Sequence, residues 1–276
     1  SSINFTIRVY IFCNYLNSLI KLLGGVEMKI LYSILFISIA ISQDFEEHII
    51  ATNVDNGLDF YSADVDSDGD MDVLCASHND DTIAWYENDG QQNFTTHTIS
   101  TNANGAYAVY AGDLDNDGDI DVLSASTLDN KIAWYENDGE QSFTVNVLST
   151  NAENTKWVYS IDIDNDGDLD IFSTSETDMN SIVWYENDGN ANFYHHIIDS
   201  IEEGYKMVSA TDLDGDGDLD LFATSDNDDN ALVWFENNGN ESFSKHLISS
   251  SFDRAEIAAA ADLDGDGDID IAATVI

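Results

Sequence analysis

The apolar positions of the chain fall in short runs such as DVLSAS, IAWYEN and FTVNVLS. Each run is rich in Val, Ile, Trp, Tyr, Phe and Thr and is closed by a cluster of Asp, Asn and Gly, which is the pattern of β-strands and their turns. No stretch after residue 43 carries sustained helical periodicity. Within one unit an Ala/Ser/Gly-rich run such as AYAVYAG comes first, followed by an Asp-rich loop, DVLSAS, an Asp/Asn turn and IAWYEN. A DG or NG turn, suited to the positive φ of a hairpin, then leads to a last run such as QSFTVNVLST.

The unit recurs. DVDSDGDMD begins at Asp64, DLDNDGDID at Asp113, DIDNDGDLD at Asp162, DLDGDGDLD at Asp212 and DLDGDGDID at Asp262, so successive starts lie 49, 49, 50 and 50 residues apart. IAWYENDG at Ile83 and Ile132, IVWYENDG at Ile182 and LVWFENNG at Leu232 keep the same period. Four strands in about 50 residues is the size of one propeller blade. The fold expected is all-β: a β-propeller of four-stranded blades with Ca-binding loops, partial, with about 4.5 blades across residues 43–276. The segment FEEHIIAT resembles a fourth strand without its first three. It is expected to complete the last blade and close the ring, which removes exposed sheet edges.

Counted from its first Asp, each loop carries carboxylates at positions 1, 3, 5, 7 and 9 around a Gly at position 6. Alternating acidic positions about a sharp turn aim several oxygens at one point, as a hard cation with six to eight oxygen ligands requires. The candidate ligands are Asp64, Asp66, Asp68, Asp70 and Asp72; Asp113, Asp115, Asp117, Asp119 and Asp121; Asp162, Asp164, Asp166, Asp168 and Asp170; Asp212, Asp214, Asp216, Asp218 and Asp220; and Asp262, Asp264, Asp266, Asp268 and Asp270. Position 7 is expected to offer its backbone carbonyl. Ca²⁺ suits such a set better than Mg²⁺, which demands tighter octahedral geometry, and the absence of His and Cys from the loops argues against zinc or copper. About five structural Ca²⁺ sites are expected.

The loop is not an EF-hand, which needs Glu at position 12 and a following helix. Position 12 here is Cys75, Ser124, Ser173, Ala223 or Ala273, on a β run. The nonapeptide Ca²⁺ β-roll has a period of nine rather than about 50.

Charge narrows the partners. The 276 residues hold 54 Asp+Glu against 8 Lys+Arg, a formal charge of −46, so polyanions such as nucleic acid are unfavourable partners. Twenty-five of those acids lie in the five loops, and five divalent ions would bring −46 to about −36. An apolar content of 43% excludes a disordered acidic tail. Cys13 and Cys75 form no disulfide framework, and Cys75 in DVLCAS reads as a small buried residue.

Residues 28–42, MKILYSILFISIAIS, have the layout of a secretory signal peptide cleaved before Gln43. Residues 1–27 read as translated upstream sequence, with Met28 the expected start and no membrane span in the mature chain. The last repeat is cut within its unit, so the chain is expected to be a fragment.

The D-x-D-x-D-G-D-x-D loops between blade strands resemble those of FG-GAP/VCBS-type repeats, and the copies carrying WYENDG look like those of secreted bacterial VCBS proteins. That resemblance covers about residues 46–276. It implies an integrin α-like propeller, usually seven-bladed, with calcium in the loop joining the first and second strands. The strict FG-GAP tetrapeptide is missing, and the blade number is inherited from the family.

His48, His97, His196 and His246 share one repeat position, filled by Asn146 in the third unit, and so read as structural rather than catalytic. Trp85, Trp134, Trp184 and Trp234 recur likewise and read as core. The function expected is a secreted, calcium-binding scaffold for binding or adhesion at the cell surface, with a glycan or surface protein as partner. Its ligand loops would be NVDNGLDF, NANGAYAV, NAENTKWV, SIEEGYKM and SFDRAEIA, with Trp157 or Tyr205 available to stack on a sugar. Two alternatives stand beside it: the propeller part of an extracellular polysaccharide-degrading enzyme, or a spacer in a larger surface protein.

Overall fold

A computed structural model describes residues 48–175, 182–200, 204–225, 232–240, 242–250 and 255–275. The expected upstream sequence and signal peptide lie outside the described residues. Among those described, no helix is long and apolar enough to cross a membrane.

The elements are all β, and each Asp loop separates the first strand of a sheet from the second. The first sheet orders β1 (Gly57–Ala63), β2 (Asp72–Ser77), β3 (Thr82–Asn88) and β4 (Phe94–Ser100) as an antiparallel meander. The second holds β5 (Ala106–Gly112), β6 (Asp121–Ser126), β7 (Lys131–Asn137) and β8 (Phe143–Ser149). The third holds β9 (Thr155–Ile161), β10 (Asp170–Ser175), β11 (Ile182–Asn187) and β12 (Phe193–Asp199). The fourth holds β13 (Tyr205–Thr211), β14 (Asp220–Ser225), β15 (Leu232–Asn237) and β16 (Phe243–Ser249), and β17 (Ala255–Ala261) pairs with β18 (Asp270–Val275).

The core lies between sheets. One cluster joins Leu74, Ile83 and Trp85 of the first sheet to Val109, Val122 and Tyr135 of the second, and equivalent clusters join the second to the third and the third to the fourth. Both faces of β6, β10 and β14 are therefore covered, and all their residues are buried. This is why their sequences show no polar alternation. Aromatic contacts cross the same interfaces: Phe193 meets Trp134 edge-on at 5.8 Å and Phe243 meets Trp184 at 6.2 Å. The first strands sit side by side, β1 against β5, β5 against β9, and β9 against β13. The outer strands β4, β8, β12 and β16 face solvent, with Val145 56% and Val147 53% exposed on β8.

The β3–β4 turn is longer than the NDG motif alone requires. Asp89 closes it by donating its N–H to the Asn93 carbonyl at 3.2 Å, and its Oδ1 accepts the Gln91 and Asn93 N–H groups. Gly90 takes the left-handed φ of +70° that this turn needs.

The expected ring-closing strand differs. Residues 48–52 carry no strand, and 45–47 lie outside the described residues. Sequence likeness to FTTHTIS is not sufficient here, because a fourth strand forms on the edge of a third.

Candidate metal centre

Each loop is a nine-residue turn whose odd and even positions do different work. Position 2 is apolar throughout and points inward in the first three loops, where Val65, Leu114 and Ile163 are no more than 1% exposed, while Leu213 is half-buried and Leu263 exposed. Positions 4 and 6 reverse the chain through left-handed backbone. Position 6 is always Gly, at φ +98°, +96°, +100°, +102° and +101° along the chain. Position 4 is Ser67, Asn116, Asn165, Gly215 or Gly265, at φ between +60° and +81°. Asn and Gly tolerate that region at least cost, so the run S, N, N, G, G at position 4 was a signal for it.

With the chain so turned, the carboxylates converge. Oxygens of Asp64, Asp66 and Asp72 lie within 4.8 Å of one another, as do those of Asp113, Asp115 and Asp121, of Asp212, Asp214 and Asp220, and of Asp262, Asp264 and Asp270. In the third loop the group is Asp162, Asp164 and Asp166. Positions 1 and 3 thus contribute in all five loops, position 9 in four and position 5 in one. Oxygens around one calcium ion at about 2.3–2.6 Å can lie roughly 5 Å apart at most, so this spacing fits. Asp64 Oδ1 is buried without a hydrogen-bond partner, an orphaned acceptor that a cation would satisfy.

The position-5 carboxylates also brace the turn: those of Asp68, Asp117, Asp166, Asp216 and Asp266 accept the N–H two residues on, at 2.9 to 3.0 Å. Position 7 aims its side chain at the hairpin of its own sheet: a Cβ on Gly139 would lie 2.4 Å from Asp119 Oδ2, and one on Gly90 would lie 2.2 Å from Asp70 Oδ2.

Position 9 has a second task. Asp121 is fully buried, with Oδ2 accepting the Leu114 N–H at 3.0 Å and Oδ1 the Asn137 N–H at 2.8 Å. Asp72, Asp170 and Asp220 repeat both bonds, at 2.7 to 3.3 Å. Each ties its loop to the last residue of the third strand, an Asn the sequence reading passed over. Burial pushes Asp121 and Asp170 up to about 7, against the pull of the same N–H donors. Asp220 is raised for the same reason. Asp66, Asp115 and Asp164 are raised by burial first and then by neighbouring carboxylates, including Glu87, Glu136 and Glu186 respectively. The loops therefore hold negative charge unwillingly unless a cation offsets it.

The recurring histidines are accounted for by the scaffold. His97, His196 and His246 place Nε2 at 2.6 to 2.7 Å from Glu87, Glu186 and Glu236; His97 and His246 stack on Trp85 and Trp234, and His196 meets Trp184 at a tilt. Asn146 keeps the contact to Glu136 at 3.2 Å. Tyr205 needs correction as a sugar platform. It is fully buried, and its hydroxyl donates to Asp199 Oδ2 at 2.6 Å. Trp157 packs against two inter-sheet clusters.

The repeat and its loop geometry meet their match in a family model for the FG-GAP-like repeat, which fits residues 64–124, 113–173, 162–223 and 212–273. The chain belongs to the FG-GAP-like repeat family. Each match runs from one Asp loop through the next and into the strand that follows it, so the family's unit straddles two sheets here. No curated protein sequence matches the chain. Among solved structures, the Vibrio cholerae biofilm matrix protein Bap1 is similar at 18% identity and a TM-score of 0.52, over 82% of this chain and 36% of that one. A protein from Lactobacillus plantarum is similar at 12% identity and a TM-score of 0.53, over 80% of this chain and 64% of that one. The FG-GAP-like chain thus spans less than two thirds of either.

Proposed function

We propose that this FG-GAP-like chain is a calcium-stapled β-propeller scaffold, exported from the cell and used for binding or adhesion. The observation that carries the reading is the convergence of three carboxylates within 4.8 Å in every one of the five loops. Positions 1, 3 and 9 would hold the ion in four loops and positions 1, 3 and 5 in the third, with the position-7 carbonyl completing the set. Calcium would supply the positive charge that lets buried carboxylates stay ionised. At 100 times its dissociation constant each ion would add about 2.7 kcal/mol to folding.

The stacked sheets and side-by-side first strands support a propeller over a looser array. Secretion is supported by the layout of residues 28–42. A place at the cell surface or in an extracellular matrix is supported by the similar fold of a biofilm matrix protein, with a glycan or surface protein as the partner.

Thermal melting of the purified chain with excess Ca²⁺, with excess Mg²⁺ and with EGTA tests the staple. Calcium is expected to raise the midpoint well above the other two, with about five ions bound by calorimetry. An unchanged midpoint under EGTA defeats the reading. A glycan array run with and without chelator tests the partner, where calcium-dependent retention of a polysaccharide is expected. N-terminal sequencing of exported protein is expected to begin at Gln43.

A further inference from the structure

The second residue of each loop faces two ways. Leu114 gives its N–H to Asp121 in its own loop, while its carbonyl accepts Asn187 Nδ2 from the next sheet at 2.8 Å. Asn187 in turn gives its main-chain N–H to Asp170 Oδ1 at 2.8 Å, and Asp170 Oδ2 accepts the Ile163 N–H at 3.3 Å. The Ile163 carbonyl then accepts Asn237 Nδ2 at 3.2 Å, and Asn237 gives its N–H to Asp220 at 2.8 Å. On the other side Asn137 joins the Val65 carbonyl, at 3.2 Å, to Asp121. One continuous line of hydrogen bonds thus runs through four Asp loops, alternating between a position-9 carboxylate, a position-2 peptide and a strand-end asparagine.

Asparagine suits this post because its amide carries two donors beside an acceptor. In Asn137 all are used: Nδ2 spans the carbonyls of Val65 and Ile120, and Oδ1 accepts the Gly139 N–H. Asn137 and Asn187 are each 1% exposed and Asn237 4%, so these bonds are shielded from water. Asn88, the equivalent residue of the first sheet, is half-buried, and its Nδ2 donates to the Met71 carbonyl of its own loop. A second link joins adjacent loops directly, Asn116 Nδ2 donating to Asp168 Oδ1.

We propose that this relay couples the cation sites in series, so that an ion in one loop raises the affinity of the loops on either side. The inference rests on the calcium reading of the loops. Its physical basis is that the position-2 peptide lies between two ligand residues, while the position-9 carboxylate that holds its N–H joins the ligand group in four of the five loops. A cation held by Asp162 and Asp164 fixes the Ile163 peptide between them, whose carbonyl Asn237 holds. The Ile163 N–H is accepted by Asp170, which also accepts the N–H of Asn187, and Asn187 reaches back to Leu114. Linkage makes the effect reciprocal. A strand-end asparagine serving only as packing would leave neighbouring affinities untouched.

The test disables one loop without touching the relay. Asp162→Asn with Asp164→Asn removes two third-loop carboxylates and keeps Asp170, Asn187 and Asn237. Calcium is titrated while hydrogen exchange, read by mass spectrometry, follows protection of the peptides carrying Leu114 and Leu213. In the unaltered chain the midpoints of the second, third and fourth loops should coincide, with a Hill coefficient above 1. In the variant the second and fourth loops should need about fivefold more calcium or beyond, the low end of typical site-to-site coupling. Adding Asn187→Ala should uncouple the second loop alone. Midpoints that stay within twofold when the third loop is disabled overturn the proposal, whether or not Asn187→Ala folds. An unaltered chain that binds no calcium would instead overturn the calcium reading itself.

Discussion

Asp170 Oδ1 accepts the main-chain N–H of Asn187 at 2.8 Å, which fixes the ninth position of an acidic loop to the end of a strand seventeen residues away. That bond separates two roles that the Asp-rich motif presents as one. Asp170→Asn puts an amide where two N–H groups need acceptors, and is expected to cost about 1–3 kcal/mol even without metal. Asp164→Asn removes a carboxylate whose Oδ1 receives one exposed N–H bond, from Asp166. It should weaken calcium binding while leaving metal-free stability nearly unchanged. Urea unfolding of both variants in EGTA checks the contrast.

The raised carboxyls set the pH dependence of the stripped protein. Asp121 and Asp170 sit at about 7 in the fold, above the ordinary aspartate value of 3.8. Between those values the folded state keeps the protons that the unfolded state releases, so stability rises as pH falls. The metal-free midpoint is therefore expected to climb from pH 7.5 to pH 5, while the increment due to calcium shrinks. Melting curves in EGTA and in calcium across that range decide it, and a stripped protein that weakens on acidification would contradict it.

Gly139 allows a contrast with Gly118. Both have positive φ, +74° and +96°. A Cβ on Gly139 would lie 2.4 Å from Asp119 Oδ2, whereas one on Gly118 would meet nothing within 4 Å. Gly118→Ala should cost about 1–2 kcal/mol from backbone strain alone. Gly139→Ala should cost more, because the Asp119 carboxylate must also move. Denaturant midpoints measure the difference.

Cys75 is fully buried, and burial pushes its thiol up to about 12. It is expected to resist a thiol reagent in the native protein at pH 8 and to react only as the chain unfolds. Mass spectrometry of labelling against denaturant follows this.

Much of the fold was legible because the repeat supplied four or five readings of each position. Strand order within a sheet, the placement of each Asp loop between first and second strands, and the burial of Trp85, Trp134 and Trp184 all follow from runs bounded by turn residues. Three things were not legible, for physical reasons. Tyr205 stands in a variable stretch, but burial is decided by the neighbouring sheet, which packs Phe235 against its ring at 5.9 Å. The five acids of a loop look equivalent in sequence, yet the turned backbone brings positions 1 and 3 together in every loop, position 9 in four and position 5 in one. The clasping asparagines are hidden in the WYEN motif, where the aromatic residues explain the strand and nothing local reveals the partner about 73 residues back.

The even and odd places of the acidic loop carry separate duties, apolar anchorage at Val65, Leu114 and Ile163 and carboxylates between them. Adding or deleting one residue would exchange the two sets, driving charge into the seam between sheets and leaving a greasy side chain outside. The loop is consequently a ruler of fixed length. Genetic drift can alter what stands at its fourth mark but not how many marks there are, while the turns at the far end of each sheet are free to grow.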